Sequence, residues 1–158
     1  MLNPVWLQRI AHFLHSSHVP LIPRLIDYLI RLLFACWLPH TADIGRRVVL
    51  GYGGLGIVIH GEAHVGDDVH IDQCVTIGGN GTRFGVPTIG NGVYIGAGAK
   101  ILGPVVIGND AVVGANAVVV TDIPSNCLAV GVPAKVIRKG IDPASFLYHR
   151  ASAAKSTT

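Results

Sequence analysis

The chain has 158 residues, room for one domain with an accessory segment. Hydrophobic residues make up 50% and charged residues 13%, so a large core is available and extended disorder is excluded except near the end of the chain. The net charge of +3 is mild and comes without clustered Lys and Arg, which excludes a nucleic-acid partner on electrostatic grounds.

Residues 4–18 read as a first helix, with Trp6, Ile10, Phe13 and Leu14 on one side. Pro20 and Pro23 end it and open a second helix over residues 21–38, with Pro23 in its first turn. Arg24, Asp27 and Arg31 fall at i, i+3 and i+7 of this apolar segment and draw a polar stripe along one face. Charge in the middle of the segment is costly in hydrocarbon and argues against a membrane span. Two placements stay open for this hairpin of residues 1–39. It packs on the following domain or a neighbouring subunit, or it docks on a membrane surface or beside a membrane-bound enzyme. No basic start followed by a cleavage site is evident, and Cys36, Cys74 and Cys127 form neither a CxxC pair nor an even set. Reduced thiols in a cytoplasm are the expectation.

From Ile59 to Ile123 an aliphatic residue recurs at every sixth position, broken only by Arg83: Ile59, Val65, Ile71, Ile77, Ile89, Ile95, Ile101, Ile107, Val113, Val119. A compact apolar residue follows four places later, as at Ala63, Val69, Val75, Val93, Ala99, Val105, Ala111 and Ala117. A period of six fits neither a helix nor a plain strand and is the signature of a parallel β-helix. Each unit supplies one short strand and one corner, and three units close one triangular coil. The β-helix is expected to start near Thr41, over a domain of residues 40–139, with a partly disordered tail over 140–158. Two breaks interrupt the register. Between Leu50 and Ile59 three extra residues lie within Gly51–Gly56, and after Ile77 the Gly78–Pro87 stretch reads as a loop thrown out from the prism. Loops on a rigid scaffold are where function concentrates.

Eighteen residues per coil put His60 beneath Gly78, at the root of that loop, and put His64 and His70 on different faces. Their spacing matches no familiar zinc motif, and no metal is expected.

The six-residue register resembles the hexapeptide-repeat acyltransferases, together with Ile95–Gly103 (IGAGAKILG) and Ala129–Ile137 (AVGVPAKVI). Within them it is most similar to the serine O-acetyltransferase branch, which includes acetyltransferases of exopolysaccharide gene clusters. The resemblance implies a left-handed parallel β-helix, an all-β fold with an α-helical hairpin in front of it. It also implies acetyl-CoA as co-substrate, a small-molecule hydroxyl acceptor, and a homotrimer with active sites between subunits. Pairing of two trimers through the hairpins stays open.

Small residues let backbone approach the pantetheine arm of coenzyme A. Gly78, Gly79, Ala97, Gly98 and Ala115 have the size for this, and Gly79, Ala97 and Ala115 match the family positions that contact the arm. Lys135, Arg138 and Lys139 are placed to pair with its phosphates, with Lys100 a further candidate. The alternative is that the small residues only close tight corners.

Direct transfer to a hydroxyl needs a base. The family's Asp-His pair falls near Gly51-Tyr52 here, and a further loop His corresponds to Val86. These departures turn attention from serine to a sugar hydroxyl of an exopolysaccharide precursor. His60 is the first replacement base, with Glu62 and Asp72 as orienting carboxylates. Tyr52 is the second candidate, followed by His64 or His70, and Cys74 as an acyl carrier comes last. Two other classes remain: a catalytically silent β-helix scaffold, and a zinc-dependent hexapeptide enzyme such as a γ-carbonic anhydrase.

Overall fold

The computed structural model describes residues 3–81 and 83–146. Two helices, α1 (Pro4–Ser16) and α2 (Ile22–Phe34), precede fourteen short strands. In chain order these are β1 (Asp43–Ile44), β2 (Val49–Leu50), β3 (Val58–Ile59), β4 (His64–Val65), β5 (His70–Ile71), β6 (Thr76–Gly78) and β7 (Thr88–Ile89). They continue as β8 (Tyr94–Ile95), β9 (Lys100–Leu102), β10 (Val106–Ile107), β11 (Val112–Val113), β12 (Val118–Val119), β13 (Cys127–Val130) and β14 (Lys135–Lys139).

The strands form three parallel walls: β1-β4-β7-β10, then β2-β5-β8-β11-β13, then β3-β6-β9-β12. The final strand, β14, adds to the second wall antiparallel to β13. From β1 to β13 consecutive strands belong to different walls, so the chain winds as a β-helix. The six-residue period is therefore one wall per unit.

Register shows the coil length directly. Ile59 lies under Ile77, Ile95 under Val113, and Ile101 under Val119, each eighteen residues on. Leu50 lies under Ile71, because the three extra residues after β2 are absorbed in a tight turn at Gly51–Gly54. Ile77 lies under Ile101, because the loop from Gly79 to Pro87 leaves the prism between them. Both expected breaks are where the sequence put them.

Every sixth-position aliphatic from Ile59 to Val119 is fully buried, and the compact residues at Ala63, Val69, Val75, Val93, Ala99, Ala111 and Ala117 share the same core. Each buried Ile or Val contributes roughly 1.5–3 kcal/mol of apolar burial. The corners between the second and third walls repeat a left-handed backbone at Gly56, Cys74, Gly98 and Asn116. Glycine and asparagine adopt it readily. The Lys100 ammonium donates to the Cys74 and Gly98 carbonyls at 2.7 and 2.8 Å, which closes that edge.

The hairpin departs from the sequence expectation in four ways. The helices are shorter, because Ala35 takes a left-handed conformation and ends α2 at Phe34. The first coil then starts early, with Trp37 bridging to Val58. The apolar side named for α1 points outward, since Trp6 and Phe13 are exposed while Val5, Gln8 and Ala11 are buried. Asp27 does not share an exposed polar stripe with Arg24 and Arg31. It is buried, and its carboxylate accepts from His40. The Gln8 side-chain amide donates to the Ala42 carbonyl at 2.9 Å, a second pin between the hairpin and the first coil.

At the other end, Ile141 is buried with Val112 and Leu128, and Phe146 packs on the same cluster. The expected disorder of the tail falls, from residue 147 onward, outside the described residues.

Candidate functional site

Strand β3 ends at Ile59, whose side chain is committed to the core. The next residue, His60, therefore turns outward at the corner. Its N–H donates to the Ile77 carbonyl at 2.8 Å, which holds the backbone under the root of the extruded loop. The imidazole stands at the wall of an open cavity of about 620 Å³. Trp37, Thr41, Glu62, Thr76 and Gly78 line the same cavity.

His60 Nδ1 accepts the Glu62 N–H at 3.2 Å. A ring nitrogen that accepts carries no proton, so the neutral ring holds its proton on Nε2. The bond is at the long end of the usual range and easily exchanged for another donor. Trp37 is held from outside the cavity. The Arg31 guanidinium carbon lies 5.8 Å from its ring centroid, and Tyr28 meets it edge-on at 6.0 Å.

The two loop-root glycines are unlike the corner glycines. A Cβ added at Gly78 would find its nearest neighbour at 4.0 Å, the His60 Cβ, and one at Gly79 would find the Gly85 carbonyl oxygen at 3.9 Å. Packing within the chain does not require glycine at either position. At Gly96, by contrast, an added Cβ would lie 2.7 Å from the Ala115 nitrogen. Gly98 likewise belongs to the left-handed corner against Asn116.

Ala97 and Ala115 stack on adjacent coils, where the Asn116 N–H donates to the Ala97 carbonyl at 2.8 Å. They sit where the chain enters the third wall, whereas Gly78 and Gly79 sit where it leaves. One chain does not bring the two sets together. Lys135, Arg138 and Lys139 are exposed on β14.

Tyr52 is exposed in the glycine turn, with φ 50° and ψ 36°, and does not line the His60 cavity. Asp72 does not orient His60. Its Oδ1 lies 3.1 Å from His70 Nε2, and its Oδ2 accepts the Tyr94 hydroxyl at 2.6 Å. Burial, then the Asp72 hydrogen bond, pushes the Tyr94 phenol up to about 12. His64 Nδ1 donates to Asp43 across the first wall at 2.7 Å. Cys74 is exposed at its corner. Among the described residues no three His, Cys, Asp or Glu side chains gather as a metal site.

The sequence reading missed Trp37, which it placed inside the second helix. The signal was the six-residue step running backwards from Val58, with the bulge subtracted, onto Trp37.

Residues 87–121 match the family model described as bacterial transferase hexapeptide (six repeats). A serine acetyltransferase of Helicobacter pylori is 43% identical over 133 residues, which is 83% of this chain and 77% of that protein. The chain belongs to the serine acetyltransferase family. The Synechococcus elongatus serine acetyltransferase is also 43% identical, over 84% of this chain but 55% of its own length. A crystal structure of the Brucella abortus serine acetyltransferase in complex with coenzyme A superposes with a TM-score of 0.82 at 33% identity. It covers 85% of this chain and 54% of that one. The chain thus spans about half the length of several serine acetyltransferases it matches.

Proposed function

We propose that this chain is an acetyl-CoA-dependent O-acetyltransferase in which His60 acts on the acceptor hydroxyl. The observation that carries the proposal is the open cavity beneath the extruded loop, with His60 in its wall and two sterically unforced glycines beside it. The Brucella relative's complex with coenzyme A supports the choice of donor.

In the proposed step the acceptor hydroxyl displaces the Glu62 N–H from His60 Nδ1. Its oxygen attacks the thioester carbonyl carbon while Nδ1 takes the proton. The tetrahedral intermediate collapses, the C–S bond breaks, and the imidazolium returns the proton to the leaving sulfur. Products are the O-acetyl ester and coenzyme A. The pantetheine arm runs past Gly78 and Gly79 of one subunit and past Ala97, Gly98 and Ala115 of the next, with Lys135 and Arg138 near its phosphates. Because the two sets lie at opposite ends of the third wall, this groove needs a neighbouring subunit, and the homotrimer is the assembly we propose for it. Light scattering of the purified chain should give three times the monomer mass.

The family relationship makes L-serine the first acceptor to test. A second reading, a sugar hydroxyl, is favoured by the cavity walls. Among the described residues of one chain they hold an indole and a carboxylate but no Lys or Arg to pair with the carboxylate of an amino acid. Release of coenzyme A should be followed with L-serine, free hexoses, N-acetylhexosamines and nucleotide-sugars. Release above the rate of acetyl-CoA hydrolysis with one of these acceptors is expected. No release with any of them would favour the silent scaffold.

A further inference from the structure

The outer face of the hairpin is apolar and uncovered. On α2, Ile22, Leu25, Leu29 and Leu32 recur at helical spacing opposite the buried stripe of Pro23, Asp27 and Ile30. Their exposure is not marginal, since Leu25 is 70% and Leu32 81% accessible. Leu21 at the start of the helix is 78% accessible. The β-helix core closes without these residues, so nothing in the chain's own packing explains a row of leucines facing outward.

Charge decides what fits there. Residues 1–39 contain three arginines, Arg9, Arg24 and Arg31, and a single acidic residue, Asp27. Asp27 is buried against His40. The hairpin therefore presents cations and leucines without an exposed carboxylate. Arg24 and Arg31 are two turns apart on one flank of the leucine row, and both are exposed, Arg31 with its guanidinium over the Trp37 ring. A second copy of the same face would bring only further cations and no exposed carboxylate to pair with them. A surface of anionic headgroups over acyl chains satisfies both features at once. Long arginine side chains reach the headgroups while the leucines enter the boundary below.

We propose that α2 seats this protein on anionic lipid bilayers as an interfacial helix. It does not span them: among the described residues no helix is long and apolar enough to cross a membrane. At 13 residues α2 is about 20 Å long, suited to lying in the interface plane.

The test is co-sedimentation of the full chain with phosphatidylcholine vesicles, with and without phosphatidylglycerol. The wild type should pellet with the anionic vesicles and stay in solution with the neutral ones. Leu25→Glu with Leu32→Glu should abolish binding, and Arg24→Glu with Arg31→Glu should weaken it by about tenfold or more. All four positions are exposed, and unchanged circular dichroism would show that the fold is kept. Equal binding to neutral vesicles would overturn the proposal, as would a wild type that stays in solution with both. So would a higher-order assembly in light scattering that the leucine substitutions dissolve, because the face would then belong to a second copy.

Discussion

Asp27 holds His40 at two points: its Oδ1 accepts the His40 backbone N–H at 2.9 Å and its Oδ2 accepts from the imidazole Nδ1 at 2.6 Å. This pair joins α2 to the first coil, with the carboxylate 4% and the histidine 8% exposed. Removing one member of such a buried pair leaves the other unsatisfied. Asp27→Ala should therefore lower stability by about 3–5 kcal/mol in urea unfolding. Asp27→Asn keeps an acceptor for the backbone N–H and should lose less. Wild-type stability in Asp27→Ala would show that apolar contacts alone hold the hairpin.

The Tyr94–Asp72 bond predicts a late-titrating phenol. Burial and the Asp72 contact raise the Tyr94 pKa from 10.0 to about 12 in the folded chain. A raised folded value means that the neutral form favours the fold. The contribution is whole below pH 10 and is lost as the pH passes 12. The ultraviolet titration difference between wild type and Tyr94→Phe should centre near the higher value. A difference centred at the ordinary tyrosine value would mean that the phenol is neither buried nor bonded to Asp72 as described.

The proposed coenzyme A groove predicts an asymmetric mutational response. Ala97→Trp fills the half-exposed corner without touching the buried core, so the melting temperature should hold while the KM for acetyl-CoA rises by about tenfold or more. Neutralising Lys135 or Arg138 should cost only a few-fold, because both are exposed and screened. Unchanged acetyl-CoA binding in Ala97→Trp would remove that corner from the groove.

The core was legible because burial at Ile59, Ile77, Ile95 and their kin repeats at a fixed interval that no other fold requires. Both interruptions were legible as glycine-rich gaps in that interval. The polar pairs were not. Asp43 meets His64, and Asp72 meets Tyr94, across neighbouring coils whose offsets depend on how the glycine turn and the extruded loop are absorbed. Composition marks where those insertions are, but not which side chains end up facing each other. Asp27 was placed on a polar stripe because helical spacing sets it with two arginines, whereas its real partner, His40, lies beyond the end of the helix. Trp37 was hidden by the same boundary. Its apolar surroundings suit a helix, and only the left-handed turn at Ala35 frees it to join the first coil and the His60 cavity.

Replacement of His60 by alanine tests the account most directly. With an acceptor that supports coenzyme A release, His60→Ala should lower kcat by roughly 10²–10⁴ while leaving the acetyl-CoA dissociation constant and the melting temperature near wild type. Tyr52→Phe, measured in parallel, should stay close to wild type, because Tyr52 lies outside the cavity. A His60→Ala enzyme with full kcat would contradict the account, and a large loss in Tyr52→Phe alongside it would move the chemistry to the glycine turn.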